Sequence, residues 1–143
     1  PIFLNYDHQI CEARVGKELA STSYAFRTLQ DLGGKISYGT DSPVEDCNPF
    51  ENIYCAVTRK GLDGQPPEGF YPQECVDVYT AVDAYTIGSA YCEFAEDRKG
   101  RIRAGYLADM VILDKDIFEI PVDEIKNVRP VRTIMGGKTV YRS

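Results

Sequence analysis

The sequence predicts an α+β fold, and three observations carry that expectation. Apolar residues recur at three- and four-residue spacing through much of the first two-thirds of the chain. A nearly continuous apolar run and a Gly-Gly turn flanked by apolar residues occupy the last third. No internal repeat is present, so the 143 residues form one domain-sized unit with helices first and a small sheet last. Composition agrees: 43% hydrophobic and 27% charged residues are globular values, too apolar for disorder.

From Asp7 to Gly34 the pattern is helical, with Ala25, Phe26, Leu29 and Leu32 on one face. Gly33-Gly34 follow as a left-handed stop. Residues 35–40 (Lys-Ile-Ser-Tyr-Gly-Thr) read as a short strand with Ile36 and Tyr38 on one side, ended by Asp41-Ser42-Pro43. The next helix has the clearest start signal. Asn48 is its cap, Pro49 suits its first position, and Glu51 completes a capping box. Phe50, Ile53, Tyr54 and Val57 form its apolar stripe. Residues 60–72 hold three Gly and three Pro and form a loop long enough to be functional or mobile. Helix resumes over about 79–91, interrupted near Thr86-Ile87-Gly88. After Gly100 the character turns to β. Residues 109–113 suit a strand covered on both faces, and Val131–Met135, Gly136-Gly137 and Lys138–Tyr141 form a hairpin.

Charge and residue counts exclude several function classes. Sixteen basic residues against 22 acidic ones give a net charge of −6, a poor match to phosphate backbones or anionic lipid. No apolar run approaches the roughly 20 residues needed to span a bilayer. One histidine, His8, excludes a self-contained multi-histidine zinc enzyme. Five cysteines without a C-x-x-C pair read as reduced, mostly buried thiols in a cytoplasmic protein. The opening Pro1-Ile2-Phe3-Leu4 lies inside an apolar run without a leader pattern, which suggests a piece of something longer.

Among candidate site residues, Asp41 stands just past the end of the expected strand, between two helices. That placement fits the rim of a (β/α) barrel, where catalytic groups gather. Its carboxylate could hold a metal or accept a proton from water. The competing reading is an Asx-turn before Ser42-Pro43, and the residues taken alone favour it. His8 falls in a first helical turn behind the capping candidate Asp7. Cys11 lies three residues on, and two ligands do not make a metal site. Glu93, Glu96 and Asp97 ahead of Arg98-Lys99 read as a solvated helix end. Gly136-Gly137 is a turn without a following helix, hence no phosphate cradle. No Ser-His-Asp arrangement can be assembled around the single histidine.

Several short motifs occur in order: residues 39–43 (Gly-Thr-Asp-Ser-Pro), 56–59 (Ala-Val-Thr-Arg), 85–91 (Tyr-Thr-Ile-Gly-Ser-Ala-Tyr), 100–102, 105–113 and 133–141. Each is weak alone. Together they resemble the C-terminal end of metal-dependent amidohydrolases, more narrowly the amidohydrolase-3 branch that includes N-substituted formamide deformylases and exoenzyme-regulation-like proteins. The resemblance runs nearly from Pro1 to Ser143.

That resemblance implies a fragment of a larger enzyme that hydrolyses non-peptide C–N bonds of small amide-type molecules. Residues 1–99 would hold the end of a (β/α)₈ metallo-hydrolase barrel, with its last strand at about 35–40. Residues 100–143 would supply C-terminal strands to an accompanying β-sandwich. Asp41 alone matches a catalytic position, the carboxylate that binds the metal and moves protons between water and leaving amine. A divalent metal, zinc, is implied for the full-length protein and none for this chain by itself, because the family's histidines are missing here. The isolated chain is accordingly expected to be inactive, and its unpaired edges to favour a homodimer or other self-association. A rival reading is a non-catalytic regulatory or interaction module that keeps the scaffold.

Overall fold

The computed structural model describes all 143 residues. Three short helices come first: α1 (Leu4–Asp7), α2 (Cys11–Ala20) and α3 (Phe26–Asp31). The helical pattern expected over residues 7–34 is broken twice. Gly16 inside α2 adopts φ 79°, and Tyr24 between α2 and α3 adopts φ 55°, both outside helical space. The Gly-Gly stop forms as expected. Gly33 N–H donates to the Gln30 carbonyl at 2.8 Å and Gly34 N–H to Leu29 at 2.9 Å, the paired bonds of a Schellman end. Any side chain at Gly34 would stand 2.8 Å from the Leu29 oxygen, so only glycine fits.

The apolar face assigned to α3 is only half used. Phe26 packs on the core, whereas Leu32 is 80% exposed. The helix is fastened at its start instead. The buried Glu74 carboxylate accepts the Thr28 N–H at 2.9 Å and also takes the Thr28 hydroxyl. Residues 35–40 do not form the expected strand. They share one backbone hydrogen bond with the rest of the chain, Tyr38 N–H to the Ala84 carbonyl at 3.3 Å, and no strand lies beside them. Their flank is taken by a helix, α6 (Ile87–Cys92). A Cβ at Gly88 would collide with the Ile36 carbonyl oxygen.

Helix α4 (Pro49–Thr58) begins where the sequence places it, with the Asn48 side chain accepting the Phe50 N–H at 3.1 Å. The reciprocal half of the capping box is filled differently: Asp46, not Glu51, accepts the Asn48 N–H at 2.9 Å. The helix is also buried well beyond its stripe. Asn52, Cys55, Ala56 and Thr58 are buried along with Phe50, Ile53 and Tyr54, so α4 is the central rod of the fold. Helix α5 (Val78–Tyr85) is capped by Asp77, which accepts the Thr80 N–H at 2.7 Å, and the expected interruption before α6 falls at Thr86.

The loop after α4 is tied down at several points. Phe70 N–H returns to the Arg59 carbonyl at 2.7 Å, Asn5 accepts the Leu62 N–H at 2.8 Å, and Lys126 reaches the Leu62 carbonyl at 2.7 Å.

Three antiparallel strands, β1 (Met110–Leu113), β2 (Pro130–Met135) and β3 (Lys138–Arg142), pair in the order β1-β2-β3. Gly136 and Gly137, at φ 56° and 77°, turn the hairpin. Asp109 accepts the Gly136 N–H at 2.7 Å and so braces that turn, a structural role. The expectation that residues 109–113 are covered on both faces is corrected. Val111 and Ile112, neighbours that point to opposite faces, are both about half exposed, because β1 is an edge strand and no second sheet lies over it. The third segment contributes to the core through Ile117, Ile125 and Val128 instead. These three join Ile53, Tyr54, Cys55, Ala81 and Ala84 in one cluster of 13 buried residues, so residues 1–99 and 100–143 share a core. No helix is long and apolar enough to cross a membrane.

The cysteines are more open than the sequence suggests. Cys55 is buried, Cys11 and Cys75 are half-buried, Cys47 and Cys92 are exposed, and none is paired. Burial pushes the Cys55 thiol from 9.0 up to about 12. Iodoacetamide at pH 8 is therefore expected to label Cys47 and Cys92 first and to leave Cys55 unlabelled until the chain unfolds, as peptide mass mapping would read. The same shift makes the buried thiol's contribution to stability fully present below about pH 9 and lost as pH climbs toward 12.

Candidate functional site

The segment carrying Asp41 runs from Gly34 past the N-terminal half of α4. Its anchoring residues are small or buried: Tyr38 and Thr40 are buried and Gly39 lies between them. The chain then turns sharply at Asp41, which adopts φ 55°, a left-handed conformation that Asp and Asn tolerate better than other side chains. The turn is closed by the backbone: Val44 N–H donates to the Asp41 carbonyl at 2.9 Å. The Asx-turn reading is thereby displaced, since the carboxylate is not spent on this turn. It is exposed and belongs to none of the chain's ion pairs.

Next to this turn an open cavity of about 590 Å³ is lined by Asn5, Tyr6, Ser42, Glu45, Asp46 and Glu51, among others. Behind it stands Asn52, fully buried on α4, which donates to the Gly39 carbonyl at 2.9 Å and accepts the Ile2 N–H at 2.6 Å. The Tyr38 hydroxyl, in the same region, is the one buried side-chain polar atom without a hydrogen-bond partner. Burial raises the pKa of Tyr38 and keeps it protonated.

The other sequence candidates do not converge on Asp41. His8 Nδ1 is bonded to the Leu4 carbonyl at 2.7 Å, and Asp7 takes the Tyr24 hydroxyl instead of capping a helix. Glu93, Glu96 and Asp97 lie beyond the end of α6 in irregular chain, where Glu93 pairs with Lys99. No three His, Cys, Asp or Glu side chains come together as a metal-holding group. One carboxylate cannot close a metal shell, so the residues of this chain alone do not fit a resident metal.

The residue that sequence reasoning passed over is Arg59. It is fully buried, yet no carboxylate pairs with it. Its guanidinium donates to three backbone carbonyls instead: Phe70 at 2.8 Å, Tyr24 at 2.6 Å and Ser23 at 3.1 Å. Burial lowers its pKa from the ordinary arginine value. The signal was an arginine closing a strongly apolar helix just before a Gly-rich loop.

A family profile described as "Amidohydrolase family" matches residues 1–141. The chain is 33% identical over 141 residues to the Bacillus subtilis (strain 168) protein named amidohydrolase YtcJ, covering 99% of this chain and 27% of that protein. It is 30% identical over 118 residues to the N-substituted formamide deformylase of Arthrobacter pascens, covering 82% of this chain and 21% of that protein. Against the imidazolonepropionase of Kosmotoga olearia it is 32% identical over 119 residues, covering 80% and 26%. It thus spans about a quarter of the length of these relatives. No solved structure matches. A profile that matches residues 1–141, with a relative 33% identical over 99% of the chain, settles the kinship: this chain belongs to the amidohydrolase family, in its amidohydrolase-3 branch.

Proposed function

We propose that this chain is the C-terminal part of a hydrolase acting on non-peptide C–N bonds, and that Asp41 is its catalytic carboxylate. The observation that carries the reading is the unspent side chain of Asp41, exposed in a turn that its own carbonyl closes. So placed, it can accept a proton from the attacking water and return it to the departing amine. The family is generally metal-dependent, but this chain supplies no closed metal site, so any metal donors beyond Asp41 would lie elsewhere in the protein.

In this reading, residues 35–40 are the last strand of a (β/α)₈ barrel and gain ladder partners from the rest of the protein. Residues 100–143 add strands to the accompanying sandwich. The extent of uncovered apolar surface supports it: only 26 of 143 residues are buried, and Leu32, Phe94 and Ile102 are at least 80% exposed. The outer edges of β1 and β3 are also free, which supports self-association of the chain when it stands alone.

The full-length protein is expected to hydrolyse N-substituted formamides or cyclic amide-type compounds faster than matched esters. Residues 1–143 by themselves are expected to give no turnover. Chromatographic product assays over such a panel test both. A full-length protein that leaves every amide and ester intact would favour the non-catalytic interaction module instead.

A further inference from the structure

We propose that Asn52 is a positioning residue that sets where Asp41 stands, by gripping the Gly39 carbonyl two residues before it; this rests on the reading of Asp41 as the catalytic carboxylate. The segment ahead of Asp41 has no strand ladder within this chain. Two other bonds hold it, Tyr38 N–H to the Ala84 carbonyl at 3.3 Å and the Ser37 and Ser89 hydroxyls at 2.9 Å, and both act upstream of Gly39. The bond from Asn52 Nδ2 to the Gly39 carbonyl, 2.9 Å, is the last one before the left-handed turn.

The orientation of the Asn52 amide is determined by its partners. Its Oδ1 accepts the Ile2 N–H at 2.6 Å, so its Nδ2 must face the Gly39 carbonyl; a flip would set donor against donor and acceptor against acceptor. The second Nδ2 hydrogen goes to the Tyr85 hydroxyl. Both donors are therefore used, and no water competes, since Asn52 is fully buried. One side chain thus ties the Asp41 segment to Ile2 near α1, to α5 and to the central helix α4. A catalytic carboxylate displaced by about 1 Å loses about 100-fold in rate, which is the scale at which such a tie matters.

The test uses the full-length protein with Asn52→Ala, Tyr85→Phe and Asp41→Asn in parallel on an amide substrate. Asn52→Ala is expected to lower kcat by about 10- to 100-fold with KM changed less than about twofold, and to speed amide exchange at residues 40–42. Tyr85→Phe removes another partner of Asn52 but leaves the Gly39 bond, so kcat is expected to stay within about twofold of wild type. If Asn52→Ala keeps wild-type kcat while Asp41→Asn loses it, the positioning role is wrong and the catalytic assignment stands. If Tyr85→Phe lowers kcat as much as Asn52→Ala, Asn52 is only a packing residue and the inference is overturned. Retained turnover in Asp41→Asn overturns the underlying assignment instead. Should Asn52→Ala not fold, Asn52→Ser, which stays polar but cannot reach Gly39, is read by the same measurements.

Discussion

Asp41→Asn in the full-length protein is expected to lower kcat by about 10²- to 10⁴-fold, the range lost when a positioned acid-base group is removed. The substitution is unusually clean. Asparagine has the same shape, accepts φ 55° as readily as aspartate, and leaves the Val44 N–H to Asp41 carbonyl bond untouched. The side chain is exposed and outside every ion pair, so the change in stability should stay within about 0.5 kcal/mol. Steady-state kinetics and thermal melting on the same preparation separate chemistry from folding. Wild-type turnover in the variant would remove Asp41 from the mechanism, and a large loss of melting temperature would return it to the role of a turn former.

The largest expected effect on stability lies elsewhere. Arg59→Ala should destabilise the chain by about 2–5 kcal/mol, because the Phe70 and Ser23 carbonyls would lose their donor at once, while the Tyr24 carbonyl keeps only the Phe26 N–H. Each orphaned buried acceptor costs about 1–3 kcal/mol, and alanine offers nothing in return. The damage should spread, since these bonds join the end of α4 to the Tyr24 turn and to the far end of the 60–71 loop. Urea unfolding followed by tyrosine fluorescence reads the loss. Arg59→Lys is the informative companion: it keeps the charge but not the planar fork, so it should recover only part of the deficit. Full stability in Arg59→Lys would mean that charge, not the three-way geometry, holds the loop.

These two residues also show where sequence reading succeeds and where it stops. Asp41 was legible as a candidate because its place depends on neighbours in sequence: a Gly-Thr before it, a Ser-Pro after it. Yet the residues alone favoured an Asx-turn, and the Val44 bond to the backbone oxygen reassigns the turn and frees the carboxylate. Asn52 was invisible by contrast, and Arg59 gave no more than the hint of an arginine closing an apolar helix. A polar residue on an amphipathic helix reads as solvent-facing, and nothing local says that the chain will wrap the helix on several sides. Once α4 is enclosed, its polar residues must find partners. Asn52 finds Gly39 and Ile2, and Arg59 finds three carbonyls.

The differences of extent have the same origin. The segment expected as a strand at 35–40 has the right composition, but a strand needs a neighbour, and within this chain Gly88 of α6 lies against Ile36 instead. Residues 109–113 look doubly covered because they are apolar, whereas coverage depends on what stacks above them. By itself the sequence determined the features set by short-range sterics and capping. These are the α4 start at Asn48-Pro49, the Gly33-Gly34 stop, the break at Thr86 and the Gly136-Gly137 hairpin. Only the tertiary structure decided which helix became the core, which polar side chains hold the Asp41 segment, and that its carboxylate is free. Burial and hydrogen-bond satisfaction are properties of surfaces that meet across the chain, as Asn52 meets Gly39, 13 residues away, and Ile2, 50 residues away, and no local pattern encodes that meeting.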